Sequence, residues 1–179
     1  MIEICAKSFK MKTLKIALLS FAGIVFLFLS LGLLFPSYEY KSSVVVNASP
    51  EKCWEVFHDT KKMSEWLEGF ESLSLKSGDP LAAGSRYEIV VNDHNKRMVM
   101  SEKIIEVTAP SKVSYELNND VLKSEFSFLF EGSTSTTVTS KYKITGNNLL
   151  WKSILFLSKP YMTSSGQDQL NALKKVIEQ

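Results

Sequence analysis

Histidine and cysteine are nearly absent from this chain, which carries only His58, His94, Cys5 and Cys53. The two cysteines lie far apart and no histidine flanks either, so they form no metal-ligand motif. Cys5 precedes and Cys53 follows the one long apolar run. If that run crosses a membrane the two thiols sit on opposite sides of it, which argues against a disulfide framework. His58, beside Asp59 at the end of a helix, reads as a surface residue near the negative end of the helix dipole. His94 reads as a turn residue, and adjacent Asp93 and His94 side chains in a tight turn do not converge on a metal. No metal and no cofactor is expected. A Gly-x-Ser-x-Gly elbow is missing, and so is a glycine-rich phosphate loop. Charge of one sign is lacking too: the net charge is only +2. Its excess sits in Lys7, Lys10, Lys12 and Lys15, so the near-neutral remainder has no footprint for nucleic acid.

What the chain does have is 179 residues, of which 45% are hydrophobic, enough to bury a core within one domain. Ile16 to Phe35 is uncharged throughout and ends at Pro36. About 20 apolar residues at helical rise match a hydrocarbon layer about 30 Å thick. A signal peptide would have a shorter apolar region and a small-x-small cleavage site, which Leu33-Leu34-Phe35-Pro36-Ser37 does not supply. The run is therefore read as an uncleaved anchor. Lysines before it and a balanced Glu39 and Lys41 after it predict a cytoplasmic N-terminus, with the rest of the chain outside the cytoplasm, on the periplasmic side. Met11-Lys12-Thr13-Leu14-Lys15 resembles a start of its own; translation from there would leave two of the lysines. The expected limits are a cytoplasmic N-terminus over 1–15, a transmembrane helix over 16–36, a link over 37–43 and a globular domain over 44–179. Tyr38 and Tyr40 fit either an interfacial aromatic anchor or the start of a strand.

Val44 to Ala48 is β-branched and lacks helical period, so it predicts a strand. Ser49-Pro50-Glu51 then starts a helix, with a cap, a proline at the first position and an acid at the positive end of the dipole. Asp59-Thr60 interrupts the apolar spacing of Cys53, Trp54, Phe57, Met63, Trp66 and Leu67, which predicts two short helices. From Phe70 the period becomes two. Strands are expected at 70–76, 85–91, 97–107, 112–117, 124–131 and 136–145, separated by turn residues, as an antiparallel meander. Phe126, Phe128 and Phe130 share one face, Glu125, Ser127 and Glu131 the other. The apolar face needs a cover. Residues 147–179 supply it, with Gly166, Leu170, Leu173 and Ile177 at helical spacing. Pro160 predicts a kink or break in that helix.

This order of elements resembles the START-like (SRPBCC) superfamily, and more narrowly its polyketide cyclase/dehydrase and lipid transport-like members. The resemblance is carried by Val46-Asn47-Ala48-Ser49-Pro50-Glu51-Lys52-Cys53-Trp54-Glu55-Val56-Phe57, Trp66, Ala83-Gly84-Ser85-Arg86-Tyr87, the 107–115 segment and the closing 170–178 segment. It implies an α+β helix-grip (Bet v 1-like) fold: a curved antiparallel sheet of about seven strands around a long C-terminal helix, with an apolar cavity between them. The added membrane anchor departs from the usual soluble member. The expected function is binding of a hydrophobic or amphipathic, lipid-like small molecule. Candidate lining residues are Trp66, Tyr87, Met98, Met100, Tyr115, Phe126, Phe128, Phe130 and Tyr142, with Gly166 leaving room for the ligand. Two alternatives stand beside it. One is a cyclase or dehydratase using Tyr87, Glu102 or Tyr115 on a bound substrate. The other is an accessory protein acting through surface contacts. Arg97 and Glu102 are weighed as a polar pair in the cavity, and a surface pair is the preferred reading.

Overall fold

The computed structural model describes residues 2–93 and 96–179, so the turn residue His94 lies outside it. The elements are α1 (Ile2–Leu34), β1 (Ser37–Val46), α2 (Pro50–His58), α3 (Met63–Trp66), β2 (Phe70–Ser77), β3 (Arg86–Asp93), β4 (Lys96–Thr108), β5 (Lys112–Asn118), β6 (Leu122–Gly132), β7 (Thr136–Gly146) and α4 (Leu149–Ile177). Short turns force each strand of β2 to β7 to pair with its successor. β1 then closes on β7, giving one seven-stranded antiparallel sheet in the order β1-β7-β6-β5-β4-β3-β2. The helix-grip architecture is present.

Side-chain alternation decides which face is covered. On β6, Ser124, Phe128 and Phe130 are buried while Glu125 and Glu131 are exposed. The register aligns Tyr40 with Tyr142, Tyr142 with Phe126, and Phe126 with Tyr115 across four strands. Their rings stack in sequence with centroids 4.8, 5.4 and 5.1 Å apart. Such pairs are worth about 0.5–1.5 kcal/mol each beyond the area they bury, so this ladder ties β1, β7, β6 and β5 together on the concave face.

α2 begins as its sequence dictates: the Ser49 hydroxyl accepts from the Lys52 N–H at 3.4 Å and Pro50 fills the first turn. It buries Cys53, Val56 and Phe57. α4 starts at Asn148, whose side chain accepts from the Trp151 N–H at 3.0 Å. Its C-terminal half buries Gly166, Leu170, Leu173, Val176 and Ile177 against the sheet and the short helices.

One expectation changes and another is narrowed. The 37–43 segment is strand, not link: β1 starts at Ser37, pairs with β7 from its first residue, and buries Tyr38 at 7% exposure. The Tyr side chains at 38 and 40 belong to the sheet because their backbone has a partner strand to bond. α4 also does not break at Pro160, which lies inside it at an exposed position where water can meet the carbonyl its ring leaves without a donor.

α1 is almost wholly exposed along Leu14–Leu34, a stretch long and apolar enough to cross a membrane. Its last turn is not free. The Gly32 N–H donates to the Ser153 hydroxyl at 3.1 Å, and a side chain at Gly32 would meet that oxygen at 2.6 Å and the Leu149 carbonyl at 2.7 Å. Phe35 stacks on Phe156 at 4.4 Å.

Leu173 is fully enclosed between α4 and the sheet. Leu173→Ala is therefore expected to cost about 2–5 kcal/mol of stability in chemical denaturation. Lys175→Ala, on the exposed side of the same turn, should change it by less than about 0.5 kcal/mol.

Candidate functional site

Between the concave face and the helices lies a cavity of about 620 Å³, within the size range of small-molecule sites. The aromatic ladder of Tyr40, Tyr142, Phe126 and Tyr115 lines it on one side. Tyr87, Ile89 and Val91 of β3 and Met98, Met100, Glu102 and Ile104 of β4 line another. Phe57, His58, Met63, Trp66 and Leu67 come from α2, α3 and their flanks, and Met162 and Gln169 from α4. The exposed members of the lining are Thr60, Pro80 and Leu81, so the α2–α3 and β2–β3 connections form its rim. Tyr87 holds that rim, its hydroxyl accepting the Leu81 N–H at 3.0 Å.

The polar groups in this apolar wall are few. Glu102 is 8% exposed and has neither a hydrogen bond nor an ion pair among the described residues. Burial pushes its carboxyl up to about 7, because an unpaired charge loses its hydration there. Tyr87 stands directly opposite on β3 and Leu117 on β5. At the end of α2, His58 Nδ1 lies 2.9 Å from the Trp54 carbonyl and must carry the proton that bonds it. That leaves Nε2 to accept from the Tyr115 hydroxyl at 3.2 Å. Burial holds His58 below the ordinary imidazole range, opposed by its bond to Trp54. Burial first, then the Glu102 and Tyr87 charges, hold the Tyr115 phenol well above its usual range. The Trp66 indole N–H is buried without a partner among the described residues. No lysine or arginine lines the cavity among the described residues.

Trp66, Tyr87, Met98, Met100, Tyr115, Phe126, Phe128 and Tyr142 all come together on the lining. Phe130 does not. It is 2% exposed and packs beneath Trp54 and Phe57, with centroids 5.8 and 5.6 Å away; α2 covers that end of β6. Gly166 also stays off the lining. A side chain there would meet the Tyr40 ring at 3.0 Å, so the glycine admits Tyr40 rather than a ligand. Arg97 and Glu102 do not pair, since five residues apart on a strand they face opposite ways. Arg97 bonds Glu71 on the surface at 2.9 Å. His58, read as a surface residue, faces the cavity because Tyr115 reaches across to it. The alternation Met98, Met100, Glu102, Ile104 was the sequence signal for an inward Glu102; nothing local marked His58.

A curved antiparallel sheet gripping one long helix over an internal apolar cavity defines a START-like, helix-grip protein. The chain belongs to the polyketide cyclase/dehydrase and lipid transport family, whose sequence model matches residues 38–178. Among curated proteins none matches significantly. Solved structures share the fold at low identity. The di-domain ARO/CYC protein BexL of the BE-7585A biosynthetic pathway is 11% identical at a TM-score of 0.65, over 80% of this chain and 51% of BexL. The chain thus spans about half of that relative. A Staphylococcus aureus protein of unknown function is 15% identical at a TM-score of 0.63, over 79% of this chain and 94% of its own. A Thermus thermophilus protein is 17% identical at 0.60, over 78% and 97%.

Glu102 makes stability depend on pH. Its folded carboxyl titrates at about 7 against an ordinary 4.5, so the native state binds the extra proton between those values. Stability then falls as pH rises through that window, by about 3 kcal/mol in all. His58, held low, acts in the opposite sense as pH falls below its ordinary 6.5. The difference between wild type and Glu102→Gln isolates the carboxyl. Melting curves should show the variant gaining on wild type from about pH 5 to 7, and a constant gap would contradict the buried carboxyl.

Proposed function

We propose that the chain is a membrane-tethered binding protein that shelters an apolar or amphipathic, lipid-like small molecule between the sheet and α4. The cavity carries the reading: its wall is mostly Met, Leu, Ile, Val and aromatic side chains, which bind by burial at about 25 cal/mol per Å² before ordering costs. The lipid transport wording of the family description agrees with it.

The tether is supported by α1. A cleaved leader has no reason to fit the mature domain, yet Gly32 meets Ser153 backbone to side chain and Phe35 stacks on Phe156. Those contacts favour a retained helix. Beside them Leu150, Ile154, Leu157 and Tyr161 recur at i, i+4, i+7, i+11. Three of the four stand exposed, at 50% for Leu150, 57% for Leu157 and 68% for Tyr161. Lys152 and Lys159 fall about half a turn away. An apolar stripe backed by lysines and continuous with a spanning helix suits the bilayer interface. The lysines before the span favour a cytoplasmic N-terminus, with the domain on the periplasmic side.

A second reading, a cyclase or dehydratase-type enzyme, draws on one observation: Tyr87, Glu102 and Tyr115 all line the cavity. A carboxyl near neutrality beside a phenol is suitable acid–base equipment. The third reading, an accessory protein working through surface contacts, gains nothing from an interior this open.

The test is organic extraction of the purified full chain followed by mass spectrometry, compared with Met100→Trp and Leu117→Trp, which fill the cavity. A compound present in wild type and lost from both folded variants is expected. Identical extracts, together with no brightening of the neutral probe N-phenyl-1-naphthylamine, would sink the binding reading. Return of an added ligand in altered form would favour the enzyme.

A further inference from the structure

Glu102 is an anomaly in a wall built for apolar contact. It occupies the inward register of β4 between Met100 and Ile104 and is buried there. The groups facing it are Tyr87 from β3, Tyr115 from β5, Tyr142 from β7 and His58 from the end of α2. His58, Tyr115 and Tyr142 have their donors engaged, whereas the Tyr87 hydroxyl only accepts and keeps its own proton to give. Tyr87 bonds the Leu81 N–H, Tyr115 bonds His58, and Tyr142 donates to Gln169 at 3.4 Å. Among the described residues no cation lines the cavity. A buried carboxyl that accepts no hydrogen bond, in a site whose free donors (the Tyr87 hydroxyl and the Trp66 indole N–H) carry no charge, leaves its hydrogen-bonding capacity to whatever occupies the space.

We propose that Glu102 selects the ligand's head group: the cavity admits apolar molecules ending in a hydrogen-bond-donating head, hydroxyl or amine, and rejects carboxylates and other anionic amphiphiles. The selection is chemical on both sides. A hydroxyl or ammonium donates to the Glu102 carboxylate and replaces water it has lost. An ionised ligand carboxylate would face a second negative charge in the same apolar space, with no lysine or arginine to offset either, so one of the two must first take up a proton, at a cost that grows as pH rises. Like charges at that depth repel far more strongly than in water. The His58–Tyr115 pair cannot compensate, because the imidazole donates to Trp54 and its free lone pair is already used. This inference rests on the reading of the cavity as a binding site and adds what the bound molecule must carry.

The test uses the full chain in phosphatidylcholine nanodiscs. It compares three diazirine-bearing alkyl amphiphiles of equal chain length: a primary alcohol, a primary amine and a carboxylic acid. After irradiation at about pH 8, where both Glu102 and the acid are ionised, peptide mass spectrometry scores label on β4 and β5. Label on α1 reports each probe's presence in the bilayer and normalises the comparison. Wild type is expected to show at least about tenfold more cavity label from the alcohol and amine than from the acid. Glu102→Gln should narrow that ratio by at least about threefold, the acid's own loss of hydration keeping it above one, and Glu102→Leu should narrow it likewise while removing the polar contact altogether. Melting curves check that both variants are folded; loss of a buried acid is expected to leave them at least as stable as wild type. Equal cavity labelling by the acid in wild type overturns the selector, as does a ratio unchanged in both variants. Absence of cavity label from all three probes, with α1 labelled, overturns the binding reading itself and the selector with it. Indiscriminate cavity labelling overturns the selector alone.

Discussion

The structure depends on a mismatch of widths. Seven strands about 4.8 Å apart present a concave face close to 29 Å across, and one helix with its side chains is only about 10–12 Å wide. α4 lies closest to β1 and β7, and inward side chains of β3, β4 and β5 are left to line open space. The short helices α2 and α3 close part of the gap. What remains is the cavity, and its apolar walls follow from alternation: each strand must point the same side chains inward whether or not a helix arrives to meet them. The aromatic ladder is the seam between the two regimes. Tyr40 and Tyr142 lie under α4, next to Gly166 and Gln169, whereas Phe126 and Tyr115 carry the stack out into the open part.

In that open part polar groups are disproportionately consequential. A buried, unpaired carboxyl costs the folded chain about 3 kcal/mol at neutral pH by its displaced titration from 4.5 to about 7. That is a large share of the stability a domain of this size holds in reserve. Leucine in the register between Met100 and Ile104 would carry no such cost. A position that destabilises the empty protein, yet faces a space large enough for a ligand, is where function is to be sought.

Much of this was legible in the sequence, because alternation is a local property. The six later strands fall within a residue or two of the spans marked out by period-two runs and turn residues. The capped start of α2 needed nothing beyond Ser49-Pro50-Glu51. What could not be read required knowing neighbours. Tyr38 to Ser43 is strand because β7, about a hundred residues later, offers it a register. Phe130 shares a face with Phe126 and Phe128, but α2 covers only the end where Phe130 lies. Gly166 is small for the sake of Tyr40. Glu102 sits in phase with Met98, Met100 and Ile104, so its inward direction was present in the pattern. General expectation for charged residues, that they face water, outweighed it. His58 had no local signal, since its place is set by a carbonyl one turn back and a phenol on another strand.

The joint between α1 and α4 fixes the apolar helix to the domain in a way that length and hydropathy alone do not reveal. Gly32 brings backbone to within hydrogen-bonding distance of Ser153, a residue with no exposure, and Phe35 lies flat on Phe156. β1 starts two residues after Phe35 and runs directly into the sheet. A flexible linker would let α1 sample many orientations about the domain. Here the chain leaves the helix, turns at Pro36 and is bonded to β7 from Ser37 onward, so the end of α1, the sheet edge and the start of α4 are fixed to one another. Met162 of the same helix lines the cavity about two and a half turns beyond Ser153 and less than two beyond Phe156. The α1 joint and one wall of the cavity are therefore carried by a single continuous helix.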